Sequence, residues 1–216
     1  MTEHLPEPDP ARVAAAAVTA DDTVVLPAGS RLVRVHCLAG AHPVAWDGFR
    51  SYGPTTSRFD HHVPPPAVQD RAIAYVTYGE GAFVAGLGEF FQHGERAGPI
   101  DRSRCRAAVT AFDTTRDLVL LDLHGGWVTR AGGNQAITSG PREPTRRWAR
   151  AVYDAHAGVD GVAWRSSVWG PGRCAALWER AADALPAAPA ATRTLDDPLL
   201  AAAVADAAAR LGVHTV

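Results

Sequence analysis

The chain has 216 residues, of which 47% are hydrophobic, and it carries a formal net charge of -2. This length can bury the core of one domain, and the lack of excess positive charge excludes a protein that binds nucleic acid directly through a basic surface. No apolar run reaches membrane-spanning length, and the N-terminal segment MTEHLPEPDP lacks the features of a signal peptide. We therefore expect a cytoplasmic protein with no membrane partner.

Every fixed positive side chain is an arginine, and arginine binds phosphate through bidentate hydrogen bonds. The three cysteines, Cys37, Cys105 and Cys174, are odd in number and far apart, and no CxxC pair occurs. This usage predicts reduced core thiols, with neither a zinc site nor a disulfide framework.

The first third of the chain alternates short ordered segments with long irregular ones. Residues 1–10 are acidic and proline-rich and predict a disordered tail, and residues 11–20 predict a short alanine-rich helix. Residues 23–27 and 31–37 show β-branched alternation and predict two short strands around a turn. Residues 38–66 are rich in Gly, Pro, His, Ser and Thr and predict a long loop, of a kind that in compact domains is usually functional or disordered.

The middle of the chain is dominated by strand patterns. Residues 72–78 predict a buried strand, which the Gly79-Glu80-Gly81 turn joins to a helix that contains Glu89. Residues 107–112 and 118–123 predict further strands, the second by a continuous apolar run. Residues 127–139 are polar and contain glycine, and they predict a loop.

The sequence of the last third of the chain predicts mostly helices. Residues 144–156 place apolar side chains at helical spacing, and residues 161–167 predict a strand. A helix is predicted at 174–185, an Ala/Pro linker at 186–194, and a final helix from 196 that ends at Gly212 and is capped by Asp and Pro. Strands in the centre with helices around them indicate an α+β fold, a mixed sheet flanked by helices. We divide the chain into a tail and short helix (1–22), a catalytic domain (23–185), and a linker with a C-terminal helix (186–216).

Glu89 is the most informative single residue. It is alone among apolar side chains and glycines between Ala82 and Phe91. Removing a carboxylate from water costs several kcal/mol unless a partner or ligand compensates, and desolvated carboxylates recur in active sites. A partly exposed helix residue or a salt bridge to arginine is the ordinary alternative.

Several common sites are not indicated. The Gly79-Glu80-Gly81 turn lacks the third glycine of a dinucleotide fingerprint and the Gly-Lys-Ser/Thr of a phosphate loop. No G-x-S-x-G motif is present. The His61-His62 pair beside Asp60 is a poor chelate, because adjacent residues of an extended chain point in opposite directions. The other histidines have no ligand spacing, so we expect no metal; among them are His36, His42, His93 and His124.

Six residues remain as candidates: Arg34, Arg58, Tyr75, Glu89, Ser139 and Ser166. Each has an ordinary explanation alone, such as a salt-bridged arginine, a core tyrosine or a capping serine. Together they would bind a diphosphate and an aromatic ring while stabilising a positive centre. Spacing alone does not show that they meet.

An ordered series of motifs carries a family resemblance. The series is LVRVH, SRFDHH, AIAYVTYGEGAFVAGLGEFFQ, LVLLDLHGGW, SGPREPTRRWARAVYDA and DGVAWRSSVWGPGRCAALWERA. It resembles the RES-domain family over roughly residues 31–181. The resemblance implies a fold like that of ADP-ribosyltransferase toxins and a bacterial source.

The resemblance also implies an activity. The best-known members are toxins of toxin–antitoxin pairs that consume NAD by phosphorolysis or hydrolysis, or that transfer its ADP-ribose to a protein. NAD would be the substrate, with no metal or other cofactor, and inorganic phosphate is one of the three possible acceptors. The partner would be an antitoxin with a helix-turn-helix region that covers the pocket.

The family's functional residues map onto this chain by motif. The strand arginine falls on Arg34 and the loop arginine on Arg58, both expected to grip the diphosphate. The strand tyrosine falls on Tyr75, with Tyr78 as second choice, and would contact the nicotinamide ring. Glu89 would stabilise the cationic sugar as the bond to nicotinamide breaks.

The family serine is open between two positions. Ser166 closes the strand GVAWRSS and is the better match, whereas Ser139 precedes the RRWARAVY helix. Either would position the nicotinamide-side ribose or the amide. Two other functions stay open: a silent module that binds NAD or another nucleotide, and an interaction protein that forms a homodimer through its C-terminal helix.

Overall fold

The computed structural model describes residues 4–92 and 98–216, which form one sheet of nine strands with flanking helices. The strands are β1 Thr23–Leu26, β2 Arg31–Cys37, β3 Arg50–Gly53, β4 Ala67–Tyr78, β5 Ala107–Asp113, β6 Leu118–Asp122, β7 Gly161–Arg165, β8 Arg173–Trp178 and β9 Ala191–Thr194. The α-helices are α1 Pro10–Ala15, α2 Ala82–Phe91, α3 Trp127–Arg130, α4 Ala136–Ser139, α5 Arg142–Ala155 and α6 Ala201–Leu211. Short 3-10 segments are Ala20–Asp22, Arg104–Arg106, Glu179–Ala184 and Pro198–Leu200.

The sheet is mixed. The strand order is β1-β6-β7-β8-β4-β2-β5-β9, and β3 adds to β4. β6 and β7 are parallel and are joined by a crossover that contains α5, whereas the other pairs are antiparallel. The predicted α+β class, a mixed sheet flanked by helices, is confirmed.

One edge of β4 is shared by two strands that leave a gap between them. β2 pairs with β4 at Thr77 and Tyr78, and β3 pairs with it from Ile73 back to Ala67. β8 occupies the other edge along residues 73–78. Among the described residues, positions 74–76 of β4 therefore have no strand beside them on the β2–β3 edge.

Alternation along the strands assigns the two faces. Tyr75 of β4 packs on the same side as Trp148 of α5, whereas Leu32 and Phe112 belong to the cluster on the opposite side. α2 covers the first face near β2 and places Leu87 in a third cluster together with α6. The first face thus carries α2, α5 and α6, and the candidate site lies among these elements.

Two C-terminal predictions were wrong. Residues 173–178 form β8, not a helix, and a 3-10 segment follows them. In β8, Cys174 and Ala176 contact one face of the sheet and Ala175 and Leu177 the other. The strand is therefore apolar at every position after Arg173, and its sequence resembles that of a buried helix. The predicted 186–194 linker was wrong for Ala191–Thr194, which pairs with β5 as β9.

Three predictions for the N-terminal and central parts of the chain also need correction. Residues 4–10 are ordered against α5: Leu5 is buried, and Trp148 Nε1 donates to the carbonyl of Pro6 at 2.7 Å. The predicted disordered tail was therefore wrong for these residues. The 127–139 segment contains α3 and α4, and the long 38–66 loop contains β3.

The cysteine prediction was wrong for two of the three thiols. Cys37 and Cys105 form a disulfide across a sequence separation of 68 residues, and buried Cys174 is free. The bond is possible because β2 and β5 are antiparallel neighbours in which Cys37 lies opposite Ala107. Among residues 4–92 and 98–216, no helix is both long and apolar enough to cross a membrane.

Candidate active site

Glu89 lies in the last turn of α2, on the sheet face that also carries α5. The helix begins after Gly81, which has φ 70°, and it approaches the sheet closely through Gly86: a Cβ there would be 3.2 Å from Thr77 Oγ1. Glu89 itself is half-buried. The apolar side chains around Glu89 are therefore explained by the packing of α2 within the protein, and the Glu89 carboxylate lies at the margin of the buried region.

Ser166 holds one oxygen of Glu89. Its Oγ donates to Glu89 Oε1 at 2.6 Å and accepts from the backbone N–H groups of Val168 at 3.1 Å and Trp169 at 3.0 Å. A hydroxyl has one proton to donate and two lone pairs, so all its capacity is used. Ser166 is buried, and its geometry suits a residue that orients Glu89 better than one that binds a ligand.

Cys174 lies beside this pair, and the sequence did not identify it. Burial raises the pKa of its thiol, and the nearby charge of Glu89 raises the pKa further. Cys174 is the β8 neighbour of Trp164 on β7, which places it under the start of the Ser166 turn. Reading residues 173–178 as a strand would have revealed its position.

Arg58 and Tyr75 belong to the same region. Tyr75 donates its hydroxyl to the carbonyl of Arg58 at 2.7 Å, and Arg58 Nη1 donates to the carbonyl of Gly140 at 2.9 Å. Burial lowers the pKa of Arg58, the nearby charge of Arg142 adds to this, and Glu89 opposes it. This coupling places the guanidinium within electrostatic reach of Glu89.

The backbone around Arg58 is constrained. Phe59 has φ 61°, is buried, and packs against Trp164 with ring centroids 4.7 Å apart. A bulky residue with positive φ is unusual and needs support from its surroundings. Here the aromatic contact provides that support, and it fixes the direction in which the preceding Arg58 leaves the loop.

Asp60 anchors the same loop from inside. Its Oδ2 accepts from Thr55 N at 2.7 Å, Thr55 Oγ1 at 2.8 Å and Arg50 Nη2 at 2.9 Å, and its Oδ1 lies 2.6 Å from His62 Nδ1. Burial alone would raise the pKa of Asp60, but these hydrogen bonds and the Arg50 charge hold it well below its usual value. The Asp60–His62 motif is thus a loop anchor.

The histidines give no sign of a metal site within the described parts of the chain, where no three His, Cys, Asp or Glu side chains cluster as ligands. His61 is fully buried, with its Nε2 3.5 Å from Glu179 Oε2, too long for a good hydrogen bond. His93 lies outside the described residues.

Arg34 is not part of the Glu89 group. It shares a face of β2 with Leu32, whereas Val35 points toward α2 and would meet a Cβ on Gly86 at 3.3 Å. Its Nη1 donates to the carbonyls of Trp46 at 2.8 Å and Gly48 at 2.7 Å. Burial lowers the pKa of Arg34 to about 10, opposed by Asp47.

Ser139 lies at the margin of the site. It ends α4, is exposed, and its Oγ is 3.4 Å from the carbonyl of Gln135. The next residue is Gly140, which accepts the hydrogen bond from Arg58. The structure therefore brings together Glu89, Ser166, Arg58 and Tyr75, has Ser139 adjacent to them, and leaves Arg34 on the opposite face of the sheet.

Comparison with known proteins identifies the family. A solved structure with 16% sequence identity and a TM-score of 0.51 matches 85% of this chain and 90% of its own; it is a chain of the M. tuberculosis MbcT–MbcA toxin–antitoxin complex. At this identity the likeness concerns the fold. No curated protein matches the sequence. The RES domain family model matches residues 31–200, which is most of the chain. This protein belongs to the RES domain family.

Proposed function

We propose that this protein is an enzyme that consumes NAD by cleaving the bond between nicotinamide and ribose. The observation that carries the proposal is the Glu89 carboxylate, oriented by the fully bonded hydroxyl of Ser166. The charge of Glu89 also opposes the lowering of the Arg58 pKa by burial. Family membership and the fold shared with a toxin–antitoxin complex support it.

Glu89 supplies the negative charge that the reaction needs. As nicotinamide leaves, the ribose ring acquires oxocarbenium character, and a fixed carboxylate stabilises this positive charge without reorganising. Oε1 of Glu89 is held by Ser166, whereas Oε2 makes no hydrogen bond among the described residues. Oε2 is thus the oxygen that faces the sugar or orients the incoming nucleophile.

Arg58, Tyr75 and Ser139 supply binding. The Arg58 guanidinium donates a single hydrogen bond among residues 4–92 and 98–216, so its other N–H groups are available for the diphosphate. The half-buried ring of Tyr75 lines the site near nicotinamide, its hydroxyl being committed to the Arg58 carbonyl. Ser139 is the serine with spare hydrogen-bonding capacity for the ribose or the amide. Arg34 has a structural role in this proposal, since its hydrogen bonds to the carbonyls of Trp46 and Gly48 hold the segment before β3.

Nicotinamide release from NAD by the purified protein tests the proposal. Release that requires phosphate indicates phosphorolysis, and release in its absence indicates hydrolysis. Label transfer from NAD to protein indicates ADP-ribosylation. Tight NAD binding with no release under any of these conditions would overturn the proposal in favour of a silent nucleotide-binding module.

Truncating Arg58 tests the diphosphate contact. We expect Arg58→Ala to raise the KM for NAD about tenfold, equivalent to about 1.4 kcal/mol, because a charge-assisted hydrogen bond to the substrate is lost. Steady-state kinetics check this. Arg31→Ala removes an exposed arginine, paired with Asp113, from β2 and should leave the KM unchanged. An equal KM in the two variants would contradict the assignment.

The proposed toxin role has a cellular test. Induced expression of the wild type should deplete NAD and arrest growth in a bacterial host, and Glu89→Gln should do neither. A partner that covers the site should restore growth when co-expressed; the family resemblance points to a small helix-turn-helix protein. Growth arrest by wild type and Glu89→Gln alike would contradict a toxin action through NAD cleavage.

A further inference from the structure

The C-terminal helix α6 contacts the part of α2 that bears the candidate catalytic carboxylate. α6 spans Ala201–Leu211, just beyond the residues matched by the family model. A Cβ on Gly88, the residue before Glu89, would lie 3.2 Å from both Leu211 Cδ2 and Val168 Cγ1. Glycine therefore permits α6 and the 166–172 turn to close over α2 at this point.

The same helix contacts the turn that orients Glu89. The guanidinium carbon of Arg210 lies 5.0 Å from the centroid of the Trp169 ring, a cation–π distance. The Trp169 ring in turn lies over Gly81, where a Cβ would be 2.2 Å from it, and so spans from α6 to the start of α2. Trp169 is thus held between two helices.

These contacts end at Ser166. The two backbone N–H groups that donate to Ser166 Oγ belong to Val168 and Trp169, the residues whose side chains meet α6 or its neighbour Gly88. With both lone pairs occupied, Ser166 has a single direction left for its proton, and Glu89 Oε1 accepts it. The chain of contacts therefore runs from α6 through the turn to the carboxylate.

We propose that Arg210 and Leu211 of α6 are positioning residues for catalysis: they hold the Val168–Trp169 backbone so that Ser166 orients Glu89. The proposal rests on the proposed NAD cleavage. It assigns the C-terminal helix a role within the active site of this chain, in place of the homodimer contact that the sequence left open.

Kinetics of the double variant Arg210→Gln/Leu211→Ala test the proposal. We expect kcat to fall about tenfold while the KM for NAD stays within about twofold, because small displacements of a catalytic group lower kcat without removing ground-state contacts. Arg210→Lys/Leu211→Met keeps the cation and the apolar volume and should restore most of kcat. Leu199→Ala, at a 72% exposed leucine of the same C-terminal segment, is the control and should match wild type.

Amide hydrogen exchange gives a second measurement that does not depend on NAD chemistry. Peptides that cover residues 166–172 should exchange faster in the double variant than in wild type or Leu199→Ala. If the double variant does not fold, the single variant Arg210→Gln is measured instead, since the Arg210 side chain is 46% exposed and its loss should not unfold the protein. Unchanged kcat, a raised KM with unchanged kcat, or unchanged exchange would overturn the positioning role. An inactive wild type would instead overturn the proposed function, and exchange would still decide whether α6 holds the turn.

Discussion

Glu89→Gln is expected to lower kcat for nicotinamide release by about 10²–10³-fold, the usual loss when one electrostatic contact to a charged transition state is removed. The substitution removes the negative charge and leaves the size of the side chain almost unchanged. Glutamine has the shape of glutamate, and its Oε1 still accepts the proton of Ser166, so the turn at 166–172 keeps its hydrogen bonds. The KM for NAD should change little, because the stabilised charge exists only in the transition state.

A matched control separates catalysis from folding. Glu80→Gln removes an exposed glutamate from the turn before the same helix and should retain wild-type kcat. Ser166→Ala should give an intermediate loss of about tenfold, since the carboxylate keeps its charge but loses its orientation. Nicotinamide release measured at saturating NAD distinguishes the three variants. Wild-type release by Glu89→Gln would remove Glu89 from the chemistry altogether.

The sequence predicted much of the strand framework but not which residues meet. Glu89 and Ser166 are 77 positions apart, and only the family resemblance gave a reason to pair them. The alternation of RLVRVHC puts Arg34 on one face of β2 and Val35 on the other. Which face bears α2 depends on how the chain crosses the sheet after β4, and no local pattern contains that information.

The errors have a common physical origin. β8 is covered on both faces, so Arg173–Trp178 lacks the polar–apolar alternation of a half-exposed strand. β9 is mostly exposed and follows an Ala/Pro-rich segment, and it is a strand because β5 offers it a free edge. The disulfide partners become neighbours only through the pairing of β2 with β5. In each case tertiary context overrides local propensity.

The second large effect is expected on stability, from Asp60 in the loop that carries Arg58. Asp60→Asn is expected to lower the free energy of unfolding by about 3 kcal/mol. The side chain is fully buried and accepts hydrogen bonds from Thr55, Arg50 and His62. An asparagine side chain replaces one of the two acceptor oxygens with an NH2 group, so at least one of the neighbouring donors would face an N–H group and lose its hydrogen bond. The Arg50 charge would also lose its counter-ion.

The pH dependence of stability identifies the charge as the cause. Because the folded pKa of Asp60 is held well below the usual 3.8, its contribution is present in full above the unfolded pKa and is lost as pH falls through the folded pKa. The difference in unfolding free energy between wild type and Asp60→Asn should therefore be constant from neutral pH to about pH 5 and shrink below about pH 4. Urea denaturation at several pH values measures it.

An exposed ion pair supplies the comparison. Asp154 pairs with Arg71 at 2.6 Å, but its side chain is 57% exposed, so Asp154→Asn should cost less than about 1 kcal/mol. Since Asp60 anchors the loop that directs Arg58 toward Gly140, Asp60→Asn should also raise the KM for NAD at temperatures where the variant is folded, and Asp154→Asn should not. Equal free energies of unfolding for the two variants would show that the buried hydrogen bonds of Asp60 contribute no more than the exposed ion pair of Asp154. A raised KM in Asp60→Asn would show that the hydrogen bonds of Asp60 help to hold Arg58 where it binds NAD.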